Sequence, residues 1–312
     1  MRFAVRVPAS TANLGSGFDS LGLALALHDV VEFETTDSGV DIDVVDAGAG
    51  DVDAVSRDVD HLVVRAMYAA CERLGVPTPG LKLRCHNAIP HSRGLGSSAA
   101  AIVTGITAAY TITGRELDAD ALQLAAEFEG HADNVAASMY GGFVVAWATR
   151  PAEQSEAGQS ATGERFHAER LTPHASIRPV VLVPPTRSST HETRGLLPDR
   201  VPLADAAFAG SRTALAVHAV TRRPDLLLDA TDDRLHQGYR RPAYPDTMRL
   251  VDELRARGVA AAVSGAGPTV LALPHGTGAG ILPADLDVDG YDVTELAIDP
   301  HGVQVTGDPV SA

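Results

Sequence analysis

Residues 90–101 read Pro90-His91-Ser92-Arg93-Gly94-Leu95-Gly96-Ser97-Ser98-Ala99-Ala100-Ala101. Two glycines let the backbone turn sharply and approach a ligand closely, while the N–H groups of an opening helix and two hydroxyls follow at once. Such a stretch is an anion cradle, suited to a di- or triphosphate. Residues 81–86 before it alternate like a strand and 99–110 after it form a small-residue helical run, so the loop sits where phosphate loops work. It is not a Walker loop, which needs a lysine after its glycine; the only lysine in the chain is Lys82, eight residues before the loop begins. That scarcity also argues against the strand lysine of a protein kinase.

Around this loop the chain reads as a soluble α+β protein. Its 312 residues give room for two domains, and 45% hydrophobic with 21% charged residues is a globular rather than a disordered balance. A formal charge of −15 argues against nucleic-acid partners, so an anionic nucleotide must be held by local dipoles, a metal and a few arginines. The first eight residues lack the apolar stretch of a secretion signal, and no run approaches the ~20 apolar residues of a membrane span. A cytoplasmic protein without membrane partners is expected. Cys71 and Cys85 form no CxxC pair and read as buried thiols.

Periodicity predicts strands at 3–7, 21–35 and 40–45, with a loop over 8–20, then a helix over 61–74 closed by Gly75-Val76-Pro77. A helix over 118–129 capped by Asp118 and a strand over 141–148 follow. Residues 150–164 read as an exposed linker or a long hairpin loop. Beyond lie a strand at 178–183, helices at 203–221 and 245–257, and strands at 259–263, 269–273 and near 291–298. The elements mix without strict βα alternation, which favours α+β over a doubly wound sheet. The expected division is 1–150, a linker or extended hairpin over 151–176, and 177–312.

Three further segments carry chemistry. The loop Pro8-Ala9-Ser10-Thr11-Ala12-Asn13-Leu14-Gly15-Ser16-Gly17-Phe18-Asp19 offers an amide and a carboxylate suited to an ammonium or a hydroxyl. Glu129-Gly130-His131-Ala132-Asp133-Asn134 packs two carboxylates, an imidazole and an amide into six residues. Ser264-Gly265-Ala266-Gly267-Pro268 is a second small-residue turn between apolar strands. Each alone has an ordinary reading, as a turn, a helix end or a hairpin.

In this order the three glycine- and serine-rich motifs resemble those of the GHMP kinase superfamily, over nearly the whole chain. Within it, residues 8–22, 89–101, 129–135, 190–198 and 262–269 look most like the homoserine kinases of high-GC Gram-positive bacteria. The resemblance implies an N-terminal ATP-binding domain with a left-handed βαβ crossover and a ferredoxin-like C-terminal domain. It implies transfer of a phosphoryl group from ATP to the side-chain hydroxyl of L-homoserine, on the route to threonine, with Mg2+. The nucleotide would lie across Gly94 to Ser98, with Gly265 and Gly267 nearby, and Ser98 would help hold magnesium. Asn13, Asp19, His131 and Thr190 would meet homoserine, and Arg194 and Arg240 would clamp its α-carboxylate. Two parallel hydrogen bonds suit a guanidinium to that task. Arg241 competes with Arg240 for the role. Asn134 would orient the reacting hydroxyl, with Asp133 as the alternative general base.

Two departures from the family pattern stand out. Eight residues before His131 the family carries a magnesium-binding glutamate, and this chain has Gln123, with Glu127 one turn further on the same helical face as a substitute ligand. Ala132 replaces the usual proline. The competing readings are another small-alcohol GHMP kinase and a weakly active nucleotide-binding sensor; a homodimer is compatible with all three.

Overall fold

The structure is a computed structural model that describes residues 1–50, 52–150, 163–188, 190–276 and 282–307; the side chains of Thr190 and His191 are outside the described set. The chain opens with β1 (Arg2–Ala12), β2 (Leu21–Thr36) and β3 (Val40–Asp46), followed by α1 (Leu62–Leu74) and β4 (Gly80–Asn87). Then come α2 (Ser97–Ile112), α3 (Ala119–Glu129), α4 (Asp133–Tyr140), β5 (Phe143–Thr149) and β6 (Arg165–Leu171). The seven-stranded first sheet runs β11-β1-β2-β4-β3, with β5 on β2 and β6 on β5; β11 (Gln304–Thr306) arrives from the far end of the chain. β3 and β4 are parallel and α1 is their crossover, while the other pairs are antiparallel. α1 begins at His61, whose Nδ1 accepts the Val63 N–H, and ends at Gly75 in the left-handed region.

The second sheet holds β7 (Val180–Val183), β8 (Ala261–Val263), β9 (Val270–Ala272) and β10 (Asp292–Glu295) in the order β10-β7-β9-β8, antiparallel throughout. Counted along the chain, that is the 4-1-3-2 order of a ferredoxin-like sheet. Between β7 and β8 run α5 (Thr190–Arg194), α6 (Leu203–Thr221), α7 (Leu227–Ala230), α8 (Gln237–Arg240) and α9 (Pro245–Ala256). Met248, Leu250, Val251 and Leu254 of α9 bury against Val180, Leu182, Val263 and Val270. Phe3, Val5, Leu23, Phe33, Leu83, Ile102, Ile106 and Phe143 form part of the larger core between the first sheet and its helices.

The expected loop over 8–20 is shorter than the sequence suggests: Ala9 to Ala12 continue β1 and pair with Gly22 to Leu25 after a register shift at Pro8. These small residues lack the bulky alternation of a strand, yet all are buried. α4 was not expected either; it has no side-chain cap, and eight residues are too few to show a period. β6 pairs along the whole of β5, from Phe143↔Leu171 to Thr149↔Arg165, so this region is a hairpin whose connection, residues 151–162, lies outside the described residues.

Candidate active site

The phosphate loop is fixed at both ends by hydrogen bonds. At its start Asp29 Oδ1 accepts the N–H groups of Ala88 and Ile89 at 2.7 and 2.9 Å. At its end Gly96 adopts φ 70° and caps α2 with no side chain, so the first-turn N–H groups of a 16-residue helix face outward. Gly94 and Gly96 have no room for a side chain: a Cβ at Gly94 would lie 2.3 Å from the Ser264 carbonyl oxygen, and at Gly96 2.0 Å from Ser10 Oγ. The three motif loops therefore touch. Ser10 N–H donates to Leu95 O (3.1 Å), Ser264 Oγ donates to Gly94 O (2.5 Å), and Gly265 N–H donates to Ala12 O (3.1 Å). Asn13, at φ 69°, closes the knot, since its Nδ2 donates to Gly265 O at 2.9 Å and its Oδ1 accepts the Asp19 N–H at 3.0 Å.

These contacts enclose a cavity of about 520 Å³. Its walls bring together Asn13, Asp19, His131, Asp133, Asn134, Arg194 and Arg240, which span most of the sequence. The loop from Pro90 to Ser98, Gly265 and Gly267 also line it, whereas Ala99 and Ala100 point into the core. Arg93 faces the loop's own supports, donating to the Pro184, Pro185 and His91 carbonyls.

One end of the cavity is a network of charges. His131 Nδ1 lies 2.7 Å from Asp133 Oδ1, which also accepts the Asn134 N–H at 2.7 Å; Asn134 Oδ1 accepts from Ser10 Oγ at 3.0 Å. Burial opposes a charge on His131, but Asp133, Asp19 and Glu129 outweigh it and push the imidazole up to about 9, so it is a cation at neutral pH. Arg194 grips Asp19 with two bonds of 2.6 and 3.1 Å. Arg240 is 1% exposed and forms no ion pair among the described residues; its partners are His236 and the Thr193 and Gly265 carbonyls. Burial pushes its guanidinium below the ordinary value. Asp19, Glu129 and Asp133 face His131, Arg194 and Arg240, a balanced set that suits a zwitterion.

The GHMP kinases N terminal domain family matches residues 61–142 and the GHMP kinases C terminal family matches 214–282. The homoserine kinase of Rhodococcus erythropolis is 51% identical over 308 residues, 96% of this chain and 95% of that protein. This chain belongs to the homoserine kinase family of the GHMP kinases. The homoserine kinase of Streptomyces avermitilis is 48% identical over 305 residues, covering 96% of this chain and 94% of that one. The crystal structure of homoserine kinase from Cytophaga hutchinsonii superposes with a TM-score of 0.77 at 24% identity over 97% of each chain, a likeness of fold.

Against that family pattern, the two metal ligands expected on α3 fall outside the cavity. Gln123 Nε2 donates to Glu127 Oε1 (2.9 Å) and to the Glu164 carbonyl (3.1 Å), and its Oε1 accepts the Phe166 N–H (2.9 Å). Glu127 pairs with Arg73 at 2.7 Å. The two do share a helical face, but that face turns toward β6 and α1. Glu129, for which the sequence suggested no separate role, does line the cavity, 3.9 Å from His131 Nε2. Ser98 and Glu129 both line the cavity and add a hydroxyl and a carboxylate to its oxygen donors. At the other end, His61 Nε2 and Thr104 Oγ1 are buried in the cavity wall with no hydrogen-bond partner among the described residues, and burial pushes His61 down to about 4. The side chain of Thr190 lies outside the described residues.

Proposed function

We propose that this chain transfers the terminal phosphoryl group of ATP to the side-chain hydroxyl of L-homoserine, giving O-phospho-L-homoserine on the route to threonine. The observation that carries the reading is the meeting of Asp19, Arg194 and a buried Arg240, which has no ion pair among the described residues, in the cavity onto which α2 opens. The triphosphate lies along Gly94 to Ser98, its charge met by the α2 dipole and backbone N–H groups. The base occupies the end lined by His61 and Thr104, whose orphaned polar atoms favour a ligand with hydrogen-bonding edges. Arg240 and Arg194 bind the α-carboxylate, and Asp19, supported by Asn13, binds the ammonium group.

With both ends of the amino acid held, its hydroxyl is left near Ser10 and Asn134 at the start of α4. Asn134 orients the hydroxyl. Asp133 holds His131 and the Asn134 N–H in place, which favours a positioning role over that of a general base. Transfer through a loose transition state depends mainly on such alignment and on charge neutralisation. Ser98 and Glu129 would hold Mg2+, which when bound neutralises charge on the transferring phosphoryl group. Because ATP is the donor, the cytoplasm is the expected compartment.

ADP release with ATP, Mg2+ and a panel of L-homoserine, L-serine, L-threonine, mevalonate and galactose tests the reading. Preferential turnover of homoserine supports it; turnover of another alcohol moves the substrate assignment. In the same assay Asp133→Asn should lower kcat by less than the ~10²-fold floor typical of a lost general base. A larger fall in a folded variant makes Asp133 the base.

A further inference from the structure

The shortest hydrogen bond recorded for Arg240 is to His236, a residue that no motif singles out. Arg240 Nη1 lies 3.1 Å from His236 Nδ1 and 3.4 Å from the Gly265 carbonyl oxygen, and Nε donates to the Thr193 carbonyl oxygen at 3.4 Å. On the other side of the imidazole, Nε2 lies 2.8 Å from the Gly15 carbonyl oxygen. A guanidinium only donates, so Nδ1 presents its lone pair; a carbonyl only accepts, so Nε2 carries the hydrogen. Together they leave one state, a neutral ring with the proton on Nε2. Burial and the neighbouring Arg240 push His236 below its ordinary value and outweigh the buried Asp233 carboxylate, whose Oδ2 lies 3.7 Å from Nε2, in agreement with that state.

Everything around the ring holds it still. His236 is 0% exposed and stacks on Phe18 at 5.2 Å, and the Phe18 ring also faces the guanidinium groups of Arg194 at 5.4 Å and Arg240 at 5.6 Å. Asp233 Oδ2 accepts the N–H groups of His236 and Gln237, and Gln237 Oε1 accepts the Val263 N–H at the end of β8. The imidazole is therefore a rigid bridge between Arg240 and the loop that carries Asn13 and Asp19.

We propose that His236 is a positioning residue for substrate selection. Its lone pair aims the Arg240 guanidinium and its N–H pins the Gly15 carbonyl, which fixes the separation between the carboxylate-binding and ammonium-binding sides of the cavity. The inference rests on the homoserine reading above and adds the residue that sets its geometry.

Two amide substitutions separate the bonds. Asn at 236 places an acceptor where Nδ1 was and cannot reach Gly15; Gln reaches the Nε2 position and leaves Arg240 without its acceptor. Positioning of Arg240 predicts that His236→Gln raises KM for homoserine by about 10-fold or more, the scale of one hydrogen bond to a charged group, with KM for ATP unchanged. His236→Asn should be the milder of the two. Simple core packing predicts the reverse, since Asn leaves the larger void, and it predicts that both KM values and Tm move together. That reversed order overturns the inference. Nitrogen NMR of the wild-type imidazole gives a check that needs no variant: a neutral Nε2–H ring at pH 6, with Nδ1 shifting when homoserine binds, is expected, and a protonated or Nδ1–H ring overturns the proposal. If wild type fails to turn over homoserine, the functional reading falls and takes this inference with it; if it does turn it over, the Gln and Asn order judges the inference alone.

Discussion

Asp19 and Arg194 stand 175 residues apart in the sequence and are joined by two hydrogen bonds, Arg194 Nη2 to Asp19 Oδ1 at 2.6 Å and Nη1 to Oδ2 at 3.1 Å. The pair carries the same two charges as an α-amino acid with the partners reversed. An amino acid entering the cavity can replace each side of the pair, giving an ammonium to Asp19 and a carboxylate to Arg194. A neutral alcohol must separate the two ions and offers nothing in exchange.

Arg194→Ala should therefore raise KM for homoserine by about 10- to 100-fold and leave KM for ATP unchanged, as expected when a charge-assisted contact to one substrate is lost. Arg194→Lys should recover only part of it, because an ammonium cannot make two parallel bonds. Steady-state kinetics with each substrate varied in turn checks this; equal effects on both KM values count against the assignment.

The glycine at 96 is required for two separable reasons, its left-handed backbone and the lack of space beside Ser10. Gly114 shares the first, at φ 64°, but nothing lies within 4 Å of its Cβ position. Gly114→Ala should cost about 1–2 kcal/mol of stability, the ordinary penalty of that conformation, and spare catalysis. Gly96→Ala should add a loss of about 10²-fold in kcat/KM for ATP, since a shift of an ångström in the loop misplaces the phosphates. Melting curves beside ATP kinetics separate the two.

Magnesium dependence distinguishes two carboxylate positions. Glu129→Gln should raise the Mg2+ concentration for half-maximal rate by about 10-fold or more, in the range seen when a metal site loses one of its supporting groups. Gln123→Glu should leave the Mg2+ requirement unchanged, since that side chain is bound to Glu127, Glu164 and Phe166 outside the cavity. A lowered requirement in Gln123→Glu would place the metal on α3 after all.

His131 also predicts a pH dependence of stability. Its imidazole rises from 6.5 to about 9 on folding. The native state thus holds the proton more tightly, and the resulting stabilisation is fully present below pH 6.5 and disappears as pH rises to 9. Its size is on the order of 3 kcal/mol, from 1.36 kcal/mol for each unit. Wild type should lose more stability than His131→Gln between pH 6.5 and 9 in denaturant titrations; parallel losses would show that the imidazole is not charged in the fold.

Some of this was legible from residues alone. α6 spans the residues its periodicity predicts, from Leu203 to Thr221, and Asp118 caps α3 through the Asp120 and Ala121 N–H groups. These are local matters, settled by spacing and by hydrogen bonds within a few residues. The glycines at 94 and 96 likewise announce a left-handed turn before a helix. The resemblance named Asn13, Asp19, His131, Arg194 and Arg240, and the fold brings all five to one cavity.

What depended on long-range packing was not legible. Gln123 and Glu127 share a face in any helix, but only the docking of α3 against β6 and Arg73 decides that this face looks away from the cavity. Gly130, left-handed at φ 81°, then ends the helix, and the last helical residue Glu129 and His131 just beyond the cap both reach the cavity wall. The return of β11 to β1 and the bridge from His236 to Gly15 join residues more than two hundred positions apart. Sequence by itself determined the helices, the turns and the chemistry available, because those follow from neighbours along the chain. The tertiary structure decided which of those groups meet, because a partner for Arg240 or a ligand for a metal is chosen by the packing of distant elements.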